Sequence, residues 1–291
     1  MNTGAAPLTY AGLHAERHGE ADGRPPLVLL HGLSYDHRQW GPVLHELEIC
    51  DPGRSVLVLN LPGHGESSLL DRHGHDDVAA VVYQAVSEAG LATPVVVGYS
   101  LGGAVATAYA ATYPTHSVVN IDQPLRIAGF AEMLQRNEHV LRSPQYATIW
   151  GSLLGRMGID TLPPQARALA RPAAVPPQEL LLSYWEELLT TPLSELQDRH
   201  TSRLARIASQ GTPYHYLAGG EPDPEYRTWL RIALPQVEIS VLDGSGHFPH
   251  LAHPGAVARI LASYTRQNGA KWLQGNMPRV AWSRLAGSYG D

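Results

Sequence analysis

The sequence predicts an α/β protein, a mostly parallel sheet flanked by helices with a helical insertion. Three observations lead there. Short β-branched runs alternate with helical patterns through the first third of the chain. The rhythm then becomes wholly helical from about Pro124 to Ser209, and strand-like runs return after it. Strands that alternate with helices build βαβ units and a largely parallel sheet.

The elements follow in order. Leu8 to His18 reads as an antiparallel edge hairpin. Leu27 to Leu30, Ser55 to Leu59, Pro94 to Gly98 and Ser117 to Ile121 are short apolar runs bounded by Gly, Pro or polar residues. Such runs suit strands buried on both faces. Asp77 to Ala89 and Leu101 to Tyr113 carry helical patterns, the second stopped by Pro114. Tyr214 to Ala218 and Val237 to Leu242 supply the last strands, and a final helix is expected from Pro254 to about Arg266. The expected division is a core of residues 1–123 and 210–268, an insertion of 124–209, and a C-terminal extension of 269–291. An insertion at that point lies over the C-terminal ends of the strands, where open α/β sheets bind their ligands.

Composition excludes several classes. The 291 residues are 44% hydrophobic and 16% charged, which argues against global disorder. A net charge of −6 argues against a nucleic-acid surface. No apolar stretch approaches the ~18 residues of a membrane span. The start, MNTGAAPLTY, has neither a basic nor an apolar leader region, so a cytoplasmic protein is expected. The single cysteine, Cys50, rules out an intrachain disulfide and a thiolate zinc cage. A homo-oligomer is left open.

Gly98-Tyr99-Ser100-Leu101-Gly102 fits G-x-S-x-G between a β-branched strand and an Ala-rich helix. A sharp strand-to-helix turn there strains the middle residue and exposes its side chain at the top of the sheet. The adjoining helix N-terminus offers free N–H groups and partial positive charge. Ser100 is therefore the candidate nucleophile.

With these residues the chain resembles the α/β-hydrolase superfamily. His31-Gly32-Leu33-Ser34 resembles its H-G-x turn, with Trp40 at the common spacing. Residues 60–67, NLPGHGES, resemble its D-x-P-G-x-G-x-S loop, with Asn60 in place of Asp. Gly246 to Leu251, GHFPHL, resembles the segment around its catalytic histidine, although Ala252 stands where Glu is usual. The resemblance implies His247 as general base and the backbone N–H groups of Leu33 and Leu101 as the oxyanion hole. A base is needed because a serine hydroxyl is a poor nucleophile at neutral pH.

Two aspartates qualify as the acid behind His247. Asp223, in the Gly219 to Pro224 segment GGEPDP, resembles the usual acid loop and is the first choice. Asp122, at the end of the SVVNI strand, is the alternative. Tyr99, His31, Trp150 and Trp185 are candidate substrate contacts, though Trp150 and Trp185, like Met133, Met157 and Tyr184, equally suit the core of the insertion. His31 and His64 read as residues that shape the mouth of the site. His73-Gly74-His75-Asp76-Asp77 looks metal-like, but helix capping by Asp76 or Asp77 is the preferred reading. No metal is expected, and no dinucleotide or phosphate-loop motif implies a cofactor.

The resemblance implies a serine hydrolase that cleaves a small or medium ester, thioester or lactone through an acyl-enzyme on Ser100, with a small-molecule substrate as partner and neither nucleic acid nor membrane expected. Other chemistries of the fold remain as alternatives: C–C bond hydrolysis, perhydrolase or haloperoxidase activity, or cofactor-free dioxygenation, which would give Asp122 a role. A non-catalytic ligand-binding member is the remaining rival.

Overall fold

The computed structural model describes residues 8–264 apart from residue 173. The expected extension, 269–291, lies outside the described residues. An eight-stranded sheet is formed by β1 (Leu8–Tyr10), β2 (Leu13–His18), β3 (Leu27–Leu30), β4 (Val56–Leu59), β5 (Val95–Tyr99), β6 (Ser117–Ile121), β7 (Tyr214–Ala218) and β8 (Val237–Val241). Their spatial order is β1-β2-β4-β3-β5-β6-β7-β8. β1 pairs antiparallel with β2, and β2 antiparallel with β4; every other pair is parallel. The opening segment is thus the expected edge hairpin.

Side-chain alternation divides the core into two layers. Leu27, Leu29, Val56, Val58, Val95, Val97, Val119 and Ile121 point to one face. That face is covered by α1 (Gly41–Cys50) and by α12 (Pro254–Ala262), which stops short of the expected Arg266. Val28, Leu30, Leu57, Leu59, Val96 and Val118 point to the other face. There α2 (His75–Glu88) and α3 (Leu101–Thr112) cover them. Strands buried on both faces cannot alternate apolar with polar residues, which is why they read as continuous apolar runs.

Between β6 and β7 lie α4 (Ala128–Arg136), α5 (Glu138–Leu141), α6 (Tyr146–Gly155), α7 (Pro164–Ala170), α8 (Gln178–Thr190) and α9 (Leu193–Gln210). Pro163, Pro177 and Pro192 each sit at a helix N-cap. At a helix start the backbone N–H has no intrahelical acceptor, so a proline there loses no hydrogen bond, and these prolines punctuate the insertion without breaking its helices. After β7, α10 (Pro224–Ala233) precedes β8, and the short α11 (Pro249–Ala252) leads from β8 to α12.

Candidate functional site

Ser100 stands between β5 and α3 with φ 50° and ψ −120°, a backbone conformation that costs a non-glycine residue ~1–3 kcal/mol. The flanking glycines are sterically required. A Cβ on Gly98 would come within 2.0 Å of the Gly102 carbonyl oxygen, and one on Gly102 within 2.2 Å of that of Leu30. Helix α3 therefore starts in direct backbone contact with the strands, and the serine is pushed out at the C-terminal end of β5, in the middle of the sheet.

His247 lies on the loop between β8 and α11. Its backbone N–H donates to the Met157 carbonyl at 2.9 Å, so the insertion helps to hold this loop. The imidazole Nδ1 is 2.7 Å from Asp122 Oδ2, and Nε2 is 2.9 Å from Ser100 Oγ. A carboxylate only accepts, so Nδ1 carries the proton and Nε2 presents its lone pair to the serine hydroxyl. Such a line can take a proton from the serine and stabilise the resulting imidazolium.

The aspartate that meets His247 is not the first-choice one. Asp223 does not face His247; its Oδ1 accepts the N–H groups of Glu225 at 2.9 Å and Tyr226 at 3.2 Å, capping α10. Asp-Pro at a strand end is an acid-loop pattern and also an N-cap followed by proline at N1, and here it serves as the cap. Asp122, the alternative, is held at φ 53° with Oδ1 accepting the Gly219 N–H at 2.9 Å. Its turn is pinned by Asn120, whose amide oxygen accepts the Gln123 N–H at 3.0 Å and whose Nδ2 donates to the Gln123 carbonyl and the Tyr214 hydroxyl, both at 2.9 Å. Tyr214 in turn donates to Thr107 Oγ1 at 2.7 Å, because the Thr107 hydroxyl proton goes to the Gly103 carbonyl. This support was not read from the sequence; an Asn two residues before an acid at a strand end is the signal that marks it.

The turn after β3 lies across from the elbow. Among the described residues, the backbone N–H groups of Leu33 and Leu101 have no acceptor. His31 is fully buried, accepts the Leu61 N–H on Nε2 at 2.9 Å and donates from Nδ1 to the Gly32 carbonyl at 2.8 Å. Burial drives its pKa down to about 3, with His64 nearby adding to the effect. His64 is likewise buried, and burial lowers it to about 4. Both imidazoles are therefore neutral at pH 7.

Tyr99 and His31, expected to meet substrate, have no exposed surface. Tyr99 instead backs the site, its ring centroid 5.1 Å from that of His247 and 4.3 Å from that of the buried His250. Trp150 and Trp185 lie within the insertion, 3% and 5% exposed, with ring centroids 6.3 Å apart. They share one continuous buried cluster with Leu33, Leu101, Leu125 and Leu180. Asp76 and Asp77 do not cap α2: Gly74 occupies the N-cap without a side-chain bond, while Asp76 pairs with Arg203 at 2.8 Å. A separate cleft of about 720 Å³ between the start of α2 and α8, lined by residues such as Asp71, His73, Asp77, Glu179 and Glu186, contains none of Ser100, His247 and Asp122.

Residues 27–260 match the model of the alpha/beta hydrolase family. Among curated relatives, the chain is 27% identical over 253 residues to the 2-succinyl-6-hydroxy-2,4-cyclohexadiene-1-carboxylate synthase of Enterobacter sp. (strain 638), covering 84% of this chain and 93% of the relative. Among solved structures, a thermophilic esterase from Thermogutta terrifontis superposes with a TM-score of 0.68 at 21% identity, covering 88% of this chain and 97% of the other. A protein described as recognising and ring-cleaving the Pseudomonas quinolone signal superposes with a TM-score of 0.67 at 16% identity, covering 89% and 98%. With that match over most of its length, and an eight-stranded, mostly parallel sheet beneath it, the chain belongs to the alpha/beta hydrolase family.

Proposed function

We propose that the protein is a serine hydrolase acting on a small or medium carboxylic ester, thioester or lactone. The observation that carries this reading is the 2.9 Å approach of His247 Nε2 to Ser100 Oγ at a strained strand-to-helix turn. In the proposed cycle, Ser100 Oγ attacks the acyl carbonyl while His247 takes its proton. Asp122 holds the imidazole tautomer and stabilises the imidazolium. The Leu33 and Leu101 N–H groups receive the oxyanion, where one such donor is typically worth ~10²–10³ in kcat. The alcohol, thiol or ring oxygen leaves with the proton from His247, and water, activated by the same imidazole, releases the acid and restores Ser100. The apolar cluster of Leu33, Leu101, Leu125, Trp150, Leu180 and Trp185 favours a substrate with an apolar part beneath the insertion.

The test is labelling of Ser100 by a fluorophosphonate, together with turnover of short p-nitrophenyl esters. Labelling that disappears in Ser100→Ala supports the reading; no labelling and no turnover rejects it.

A second reading is favoured by the position of the acid. Asp122 and His247 form a base pair that does not need the serine to abstract a proton, and the structural neighbour described as ring-cleaving and the relative named a synthase point away from simple hydrolysis. Under that reading Ser100→Ala keeps much of its turnover, with oxygen uptake on an aromatic substrate in the ring-cleaving case. Under the hydrolytic reading it keeps none.

A further inference from the structure

The proposed chemistry leaves His64 and the insertion residue Tyr184 without a role, yet their hydrogen bonds run in one line toward the turn that carries Leu33. The Ser34 N–H donates to His64 Nε2 at 3.1 Å. A backbone N–H only donates, so Nε2 accepts and the ring proton sits on Nδ1. From there it goes to the Pro62 carbonyl at 3.0 Å. That same carbonyl accepts the Tyr184 hydroxyl, from α8, at 2.9 Å. The aromatic rings of His64 and Tyr184 lie 5.5 Å apart. The side chain of Leu180, one turn earlier on α8, would come within 2.9 Å of a Cβ built on Gly63. Helix α8 is thus seated directly on the 61–64 turn.

The other end of the line bears on the Leu33 N–H. Ser34 adopts φ 70°, and the Tyr35 N–H closes the turn on the Gly32 carbonyl at 3.2 Å. The Gly32 carbonyl and the Leu33 N–H belong to one peptide group, and in a trans peptide they point in opposite directions. Whatever fixes the Gly32–Ser34 turn therefore fixes the aim of the Leu33 N–H. His31 grips that peptide from its carbonyl side, and His64 grips the next one by its N–H. An apolar ring at position 64 would fill the same space but leave the Ser34 N–H without this acceptor.

We propose that His64 is a positioning residue for the oxyanion-binding turn, and that Tyr184 ties it to the helical insertion, so that the seating of α8 on Pro62 sets the aim of the Leu33 N–H. The proposal rests on the hydrolytic reading and gives the insertion a part in the chemical step as well as in substrate binding.

The experiment compares Tyr184→Phe, His64→Leu, His64→Gln and the double variant Tyr184→Phe/His64→Leu. Turnover of a short p-nitrophenyl ester and inhibition by an alkyl trifluoromethyl ketone are measured for each. His64→Leu is expected to lower kcat by ~10²-fold, to change KM by less than about threefold, and to weaken the ketone by a factor similar to that in kcat. His64→Gln, whose amide oxygen can accept the Ser34 N–H, recovers most of the loss. Tyr184→Phe lowers kcat about fivefold alone and adds nothing in the His64→Leu background, because it acts through His64. Unchanged kcat in Tyr184→Phe, a change confined to KM, or additive losses in the double variant overturn the proposal. Should His64→Leu fail to fold, Tyr184→Phe and the ketone affinity of His64→Gln decide it. Should the parent neither turn over nor be labelled at Ser100, the hydrolytic reading fails by itself. The imidazole ¹⁵N shifts of His64 then decide the clamp: an Nδ1–H tautomer perturbed by Tyr184→Phe retains it, and any other pattern overturns it.

Discussion

Asp122 Oδ2 stands 2.7 Å from His247 Nδ1, while Asp122 Oδ1 takes the Gly219 N–H at 2.9 Å. The carboxylate is thereby held from both sides and cannot rotate away without losing one bond. On the proposed hydrolytic reading, Asp122→Asn should lower kcat/KM by about 10³–10⁴-fold on p-nitrophenyl esters, because an amide in place of the carboxylate favours the wrong imidazole tautomer. Asp223→Ala should leave kcat/KM within about threefold and lower stability by ~1 kcal/mol through loss of the α10 cap. Parallel kinetics and urea unfolding check both. The reverse pattern, with Asp223 essential and Asp122 dispensable, would remove Asp122 from the mechanism.

The backbone of Ser100 makes a separate prediction. Ser100→Ala and Ser100→Gly both delete the hydroxyl, so neither should react with a fluorophosphonate. They should differ in stability. At φ 50° and ψ −120° glycine is at ease and alanine is not, so Ser100→Gly should unfold at a higher urea concentration, by about 1 kcal/mol after allowance for the larger unfolded-state entropy of glycine. Equal midpoints would mean that the turn relaxes once the hydroxyl is gone.

Gly98 tests how rigid that turn is. A Cβ there would meet the Gly102 carbonyl oxygen at 2.0 Å, and this oxygen belongs to the first turn of α3, not to a flexible side chain. Gly98→Ala should cost more than about 3 kcal/mol and strip activity together with stability, because the serine moves with the helix. A folded, active Gly98→Ala protein would show that α3 can slide away from β5.

Local pattern carried much of this molecule. Val95 to Tyr99 is legible as a buried strand because β-branched residues run without a polar break, and Gly98 and Gly102 are legible because the elbow admits nothing larger. Which aspartate meets His247 is not legible by the same means. Asp223-Pro224 carries a complete local signal for a helix start, and that signal is also the acid-loop pattern. What decides between Asp122 and Asp223 is which strand end faces His247, and that is a property of the sheet rather than of any short stretch of chain. The insertion shows the same limit. Its prolines announce where helices begin, but not that the Met157 carbonyl receives the His247 N–H or that Tyr184 reaches Pro62.

Acid should destabilise the fold before it reaches the usual carboxylate range. Burial holds His31, His200 and His250 at about 3, and His64 and His215 at about 4, against an ordinary value of 6.5. For each, the folded value lies below the unfolded one, so the unfolded chain binds the proton first. Stability from these groups is complete above pH 6.5 and is lost as pH falls toward 4 and 3. Between pH 7.5 and 5.5 each such histidine costs on the order of 1 kcal/mol, so the five together remove several kcal/mol, a large share of a typical domain's stability. Neither ring nitrogen of His250 has a partner among the described residues, and its ring packs against Tyr99 and Trp40. His250→Phe keeps a ring there and removes the proton site. Urea unfolding at the two pH values should show a loss smaller in the variant than in the parent by roughly 1 kcal/mol, with no penalty at pH 7.5 from a lost hydrogen bond. An identical pH dependence in both proteins would mean that His250 is already protonated, or already solvated, in the folded state.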